Sequence, residues 1–227
     1  MEFKLPKSFE GVRIFSSEIT DGPMNRLLEE GRRNAPKFLR KIRASKPFSS
    51  AGQPHKDLIK IIEKDGFYKN ADGLLTRGDY VLAVKTADCI PLLLFSRESC
   101  VIGAVHLSRK NLISGMVSKS LKENLKKLKV TPLSLKIFLA PHIRWPHYEI
   151  KKDIYDPLRG TKWEGFIKSK NSKNYFDLTQ AAVCELEGIG VLKDNIYDSK
   201  VDTYLSDKFY SARRGQNFVF LTVIFKK

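Results

Sequence analysis

The sequence has little sulfur and no long hydrophobic run, and each shortage excludes something. Three cysteines in 227 residues, Cys89, Cys100 and Cys184, make an odd set without a CxxC pair. A disulfide framework is not expected from them, and a reducing compartment is. The longest apolar runs, Cys89–Phe95 and Phe218–Phe225, fall far short of the roughly 20 residues that cross a bilayer. The opening stretch MEFKLPKSFEGVRIF holds no apolar segment of signal-peptide length, so secretion is not indicated. A soluble cytoplasmic protein, without a membrane partner, is the expectation. Acidic residues are also short: 25 Asp and Glu face 41 Lys and Arg, a net charge of +16. Such an excess attracts anions. No helix-turn-helix signal, aromatic RNP run or zinc-finger spacing accompanies it, so nucleic acid is not expected and charge alone names no partner.

What is present reads as one globular unit. Hydrophobic residues at 42% and charged residues at 29% are ordinary for a folded chain of this length. Neither an internal repeat nor a low-complexity linker divides it, which predicts a single domain over residues 1–227. The pattern predicts strands at 12–19, 80–86, 100–105, 133–141 and 218–225, with 57–63 readable as strand or helix. Residues 24–43 are helix-like and basic, with a break expected at Pro36. Ile113, Val117, Leu121, Leu125 and Leu128 recur at helical spacing, which predicts one amphipathic helix over 111–129. Asp177-Leu-Thr-Gln180 has the form of a capping box opening a helix that ends at Gly188. Pro91 stops the strand of 80–86 from continuing as an ordinary central strand. The fold class is mixed α/β.

Of the four histidines, two occupy suggestive places. His55 lies in the loop Ala51-Gly-Gln-Pro-His-Lys56, and His106 ends the apolar strand VIGAVH. Cys89 sits in KTADCIPLLLF, where a strand breaks. Backbone held at a strand end with a side chain meeting solvent is a common setting for catalysis. By residue type alone each of these is also an ordinary packed or polar residue, and their spacing matches no local metal motif.

Six short motifs, in order, add a resemblance. Gln53-Pro-His55, Ala71-Asp-Gly-Leu-Leu-Thr76, Thr86-Ala-Asp-Cys-Ile-Pro91, Ala140-Pro-His-Ile143 with Tyr148-Glu-Ile150, Phe176-Asp-Leu178 and Phe209-Tyr-Ser-Ala-Arg-Arg214 carry it. The chain resembles the laccase-domain family, once called multicopper polyphenol oxidases and later read as zinc-dependent purine nucleoside phosphorylases. The resemblance implies a single α/β domain with β-sheets layered between helices. It also implies a metal held by His55, Cys89 and His106, which would then be the catalytic centre. A His₂Cys set with a free fourth position suits a catalytic Zn2+. The implied reaction takes adenosine, inosine or guanosine plus phosphate to free base and ribose 1-phosphate, with possible deamination of adenosine. Purine nucleosides and phosphate are thus the expected partners of a monomer or homodimer. Lys110, Arg213 and Arg214 are the candidate phosphate binders.

The chain also departs from the family. The family's H-A-G-W-R-G becomes His106-Leu-Ser-Arg-Lys-Asn111, its S-T-R becomes Ser17-Glu-Ile19, and a later C-T becomes Asp202-Thr203. Loss of two glycines predicts an altered backbone path beside His106 if those glycines had positive φ, and weakened activity with it. Three rival readings stand beside the phosphorylase. Copper (Cu2+) phenol oxidation is one, although four copper ions need more histidines than the two left after the site. A Cys–His hydrolase with Cys89 as nucleophile and His106 as base is another. The third is a non-catalytic basic binding protein that keeps the metal for structure.

Overall fold

Two large sheets, packed face to face, organise the chain. The computed structural model describes residues 1–227. Its strands are β1 (Val12–Ser16), β2 (Phe48–Ala51), β3 (Ile59–Ile61), β4 (Gly66–Tyr68), β5 (Gly73–Thr76), β6 (Val81–Thr86) and β7 (Ile90–Ser96). They continue with β8 (Val101–Leu107), β9 (Lys136–Leu139), β10 (Glu149–Ile150), β11 (Ile167–Lys170), β12 (Lys173–Phe176), β13 (Ile196–Asp198) and β14 (Phe220–Lys226). The helices are α1 (Glu29–Lys41), α2 (Arg109–Ser114), α3 (Lys122–Lys127), α4 (Lys152–Tyr155) and α5 (Leu178–Gly188). A five-stranded sheet runs β1-β14-β6-β2-β4, a six-stranded sheet runs β13-β9-β7-β8-β5-β3, and β10-β12-β11 form a small third sheet.

Alternation along the strands sorts the core into layers. In β6, Leu82 and Val84 pack with Ile14, Leu74, Leu93 and Ile102 between the two large sheets, while Val81 and Ala83 pack with Phe38 and Ile42 near α1. The other face of the six-stranded sheet buries Leu92, Leu94 and Val105 against Leu112, Leu121 and Leu125 of the 109–127 segment and Ala181 and Leu186 of α5. Each such aliphatic side chain contributes about 1.5–3 kcal/mol by leaving water. The result is the expected mixed α/β domain, with sheets layered between helices.

Three local expectations change. α1 runs through Pro36 without ending there. Its missing N–H forfeits one bond, and burial of Phe38 on the same helix offsets a penalty of about 3 kcal/mol. The predicted helix over 111–129 is three pieces. Gly115, at φ +114, ends α2, a π-helical turn spans Met116–Leu121, and α3 follows. A Cβ at residue 115 would stand 2.8 Å from the Lys119 side chain. Val117, Leu121 and Leu125 still reach the same core. Pro91 lies inside β7, a central strand, as its second residue opposite His106. Its carbonyl accepts from the Ala140 N–H at 3.0 Å, and its lack of a donor falls at the strand's beginning. The 57–63 stretch settles as β3, and Asp177 caps α5 by accepting from the Gln180 N–H at 3.0 Å.

Candidate metal centre

The chain crosses between the two large sheets at two places that bear on the site. One crossing runs from β2 to β3 and carries His55; the other runs from β6 to β7 and carries Cys89. His106 stands next to the end of β8, which pairs with both β7 and β5. The three side chains therefore meet at one end of the seam between the sheets. Their ligand atoms all lie within 4.8 Å of one another, and the two imidazoles sit edge to face with centroids 4.8 Å apart.

Asp72, fully buried just before β5, holds the corner together. Its Oδ1 lies 3.0 Å from His106 Nδ1 and accepts from the His55 N–H at 3.0 Å, while Oδ2 accepts from the Lys56 N–H at 2.8 Å. The His106 N–H donates to the Asp72 carbonyl at 2.8 Å. One carboxylate thus orients one histidine's ring and the other's backbone, and turns His106 Nε2 toward the thiol side. Metal-binding histidines are commonly fixed in this way. The loop bearing His55 also needs support, because Gln53 and His55 adopt φ of 67° and 60°. The Gln53 side chain supplies it: Nε2 donates to the Lys85 carbonyl at 2.5 Å and Oε1 accepts from the Lys85 N–H at 2.9 Å.

The Cys89 turn is pinned by its neighbour. Asp88 has φ 90°, and its carboxylate accepts from Thr203 Oγ1 at 2.7 Å and from the Arg213 N–H at 2.8 Å. Burial pushes the Cys89 thiol up, but the His106 and His55 rings beside it outweigh burial and bring it down to about 7. Burial likewise pushes His106 down, and the Cys89 charge together with Asp72 carries it up to about 9. The donor set fits a metal: one ready thiolate, one imidazole fixed by a carboxylate, a second imidazole on an exposed loop, and no fourth protein ligand in the cluster. His142 and His147 lie elsewhere, the first near Ala140 O and Thr179 and the second 2.6 Å from Asp202.

The cationic candidates separate. Lys110 is exposed on the first turn of α2. Arg214 is tied to structure: its guanidinium donates to the carbonyls of Tyr204, Ser206 and Phe209 and to Gln216. Arg213 stands over the Tyr148 ring at 4.7 Å and donates to the Glu149 carbonyl at 2.6 Å. Arg109, absent from the sequence-based candidates, lies beside the Tyr148 hydroxyl, and its buried Nε has no partner. Burial raises the Tyr148 phenol, the Cys89 charge raises it further, and Arg109 and Arg213 oppose both. Tyr148 thus lies against both arginines.

The altered loop after His106 has its own logic. Ser108, at φ −94, caps α2 by accepting from the Asn111 N–H, and Asn111 Oδ1 accepts from the Ser108 N–H at 2.8 Å. Asn111 Nδ2 also donates to the His106 carbonyl at 2.8 Å. Where the glycines are gone, a capping box grips the backbone of the metal-side histidine.

Known proteins share this sequence pattern and this fold. The sequence profile of the family described as multi-copper polyphenol oxidoreductase laccase matches residues 28–222. The chain belongs to that family. It is 25% identical over 149 residues to a purine nucleoside phosphorylase of Bacteroides thetaiotaomicron, covering 63% of this chain and 55% of that one. It is 30% identical over 172 residues to a purine nucleoside phosphorylase of Deinococcus radiodurans, covering 75% of this chain and 66% of that one. The matched part thus spans between about half and two thirds of these two relatives. Its fold is shared with the Bacillus licheniformis hypothetical protein YfiH, with a TM-score of 0.83 at 17% identity over 95% of this chain and 93% of that one. No helix is long and apolar enough to cross a membrane.

Proposed function

We propose that this chain is a zinc-dependent purine nucleoside phosphorylase, with zinc held by His55, Cys89 and His106. The observation that carries the reading is the convergence of these three donors on one point, with Asp72 ordering two of them. The relatives named purine nucleoside phosphorylase supply the substrate class. When bound, zinc supplies a Lewis-acid centre with an open position and keeps Cys89 ionised. In phosphorolysis a phosphate oxygen forms a bond to C1′, the C1′–N9 bond breaks, and its electron pair leaves with the base, which takes up a proton. Arg109 and Arg213, gathered about Tyr148, are the groups we assign to phosphate. Guanidinium forks match its oxygens bidentately, and the unpartnered Arg109 Nε has a donor to offer. Holding the anion in line with C1′ is a positioning contribution. The open position also extends the reading to adenosine, where water adds at C6 and ammonia leaves. Three unpaired cysteines suit the cytoplasm we assign it to.

The test has two parts. Elemental analysis of wild type should give about one zinc per chain, the content expected of a single three-ligand site. Chromatography of inosine incubations should show hypoxanthine and ribose 1-phosphate only when phosphate is present. Product formed equally without phosphate would end the phosphorylase reading.

The geometry favours one rival over the others. Asp72, His106 and Cys89 also have the order of an acid–imidazole–thiol relay, with the thiol at about 7. A Cys–His hydrolase predicts that chelation leaves turnover intact and that alkylation of Cys89 stops it.

A further inference from the structure

A second candidate site lies on the opposite side of the five-stranded sheet, beneath α1. A cavity of about 310 Å3 opens there between α1, β2, β4 and β6, and none of His55, Cys89 and His106 lines it. Its walls are apolar at Met24, Leu39 and Phe48. Its charged lining is all of one sign: Arg26, Arg32 and Lys85, with no Asp or Glu among the residues around it. None of these three cations takes part in an ion pair.

Lys85 is the least expected of the three. It follows Val81 and Ala83 on the face of β6 that packs toward α1, where the alternation calls for an apolar side chain. It is half-buried instead, and burial with the nearby Arg26 charge brings its ammonium down to about 8. An unpaired ammonium in this setting disfavours the empty cavity, and a bound anion would offset that. Phe67, 41% exposed, forms an aromatic wall, with the Arg26 guanidinium 3.5 Å and the Lys85 ammonium 5.6 Å from its ring centroid. Arg26 is positioned by its neighbour. Asn25 Oδ1 accepts from the Val219 N–H at 3.0 Å, and its Nδ2 donates to the Asn217 carbonyl at 3.2 Å. Gly31 lets α1 approach this anchored segment, since a Cβ there would stand 2.1 Å from the Asn25 carbonyl oxygen.

We propose that this cavity binds a phosphate monoester carrying a planar ring, of the mononucleotide class, with the phosphate among Arg26, Arg32 and Lys85 and the ring against Phe67. Three unpaired cations recognise a dianion. The apolar walls and Phe67 favour an aromatic body over a bare inorganic ion.

Titration calorimetry of the full, metal-loaded protein tests it, with AMP, adenosine and inorganic phosphate as separate probes. One AMP should bind per chain, and adenosine and inorganic phosphate should each bind at least about tenfold more weakly, since each keeps only half the contacts. Lys85→Met and Arg32→Gln should each weaken AMP about tenfold or more through loss of a charge-assisted contact. Lys85→Arg should retain affinity, and Cys89→Ser, which dismantles the metal corner, should leave AMP binding unchanged. Circular dichroism of each variant confirms that the fold is retained. The proposal is overturned by absence of AMP binding, by inorganic phosphate binding that is as tight as that of AMP and is lost in Lys85→Met, or by AMP binding that survives Lys85→Met and Arg32→Gln and disappears in Cys89→Ser. Because the last variant separates the two sites, loss of the phosphorylase reading would leave this result standing.

Discussion

His106 and His55 offer the same ring to the same thiol from opposite kinds of structure. His106 is 2% exposed, one residue from the end of a seven-residue strand, with its Nδ1 fixed by Asp72 and its carbonyl held by Asn111. His55 is exposed, stands at positive φ in a crossover loop, and keeps its place through backbone bonds to Asp72 and the nearby Gln53 clamp. One ligand is built into the core, and the other is laid over it. In the proposed metal site, affinity would draw on both, whereas stability of the fold draws mainly on the first.

The largest expected effects fall where that difference is greatest. His106→Ala should abolish metal binding and also lower the stability of the metal-stripped protein by about 2–4 kcal/mol, through a cavity and an orphaned Asp72 carboxylate. His55→Ala should abolish metal binding while changing metal-free stability by less than about 0.5 kcal/mol. Denaturant titration in chelator, beside elemental analysis, reads both quantities. Equal destabilisation by the two substitutions would remove the distinction between the strand-borne and loop-borne ligand.

Asp72 joins the two halves, so its loss should affect both. Asp72→Ala leaves the His55 and Lys56 N–H groups and His106 Nδ1 without their acceptor, each costing about 1–3 kcal/mol where it is buried. Metal affinity should fall about 10–100-fold, the usual cost of losing a carboxylate behind a metal-bound histidine. Asp72→Asn, which keeps an acceptor, should fall between that variant and wild type in competition titration with a chromophoric chelator. Gln53→Ala tests the loop half alone: stability should drop by about 1 kcal/mol, with a smaller loss of affinity than Asp72→Ala gives.

The two halves were also unequally legible in the sequence. Cys89, His55 and His106 could be picked out because each sits at an edge of patterned chain, and the motifs around them resemble a family. Asp72 stood inside one of those motifs, ADGLLT, but its role depends on β5 lying beside β8, a pairing between distant parts of the chain. Arg109 was passed over for Lys110 because position in a motif says nothing about which way a helix turns its residues. The capping box of Ser108 and Asn111 sets that rotation. The strands were readable from alternation, whereas Pro36 acted against its local propensity because tertiary packing decided, and Gly115 followed its own by ending a helix at positive φ where the apolar period of 111–129 runs on without a break.

A proton-linked measurement sharpens the comparison from the thiol's side. In metal-stripped protein Cys89 should lose its proton near pH 7, because the His106 and His55 rings outweigh burial. The sign follows from the lowered value: the thiolate contribution to stability is complete above the unfolded thiol's 9.0 and is lost as pH falls through about 7. His106 runs the other way, with its contribution complete below 6.5 and lost as pH rises through about 9. Alkylation of Cys89 by iodoacetamide, followed by peptide mass spectrometry, should show a midpoint near pH 7 in wild type. That midpoint should move upward in His106→Ala, where the larger of the two neighbouring charges is gone, and move less in His55→Ala.

The smallest expected effect belongs to Lys110. It stands one residue from Arg109 on the first turn of α2, yet the helix sends the two in different directions. Arg109 Nε is buried and unpartnered near Tyr148, and Lys110 is exposed. An exposed lysine reaches a bound phosphate only through solvent-screened attraction, worth little at physiological ionic strength. A half-buried guanidinium gives directed, charge-assisted hydrogen bonds instead. Lys110→Ala should therefore change the phosphate KM by less than about twofold, consistent with a screened contact. Arg109→Gln should raise that KM about tenfold or more, the scale of one charge-assisted hydrogen bond, with metal content unchanged in both. Initial rates against phosphate concentration decide the matter. A tenfold rise in Lys110→Ala with none in Arg109→Gln would return the phosphate contact to the exposed lysine and detach Arg109 from the reaction.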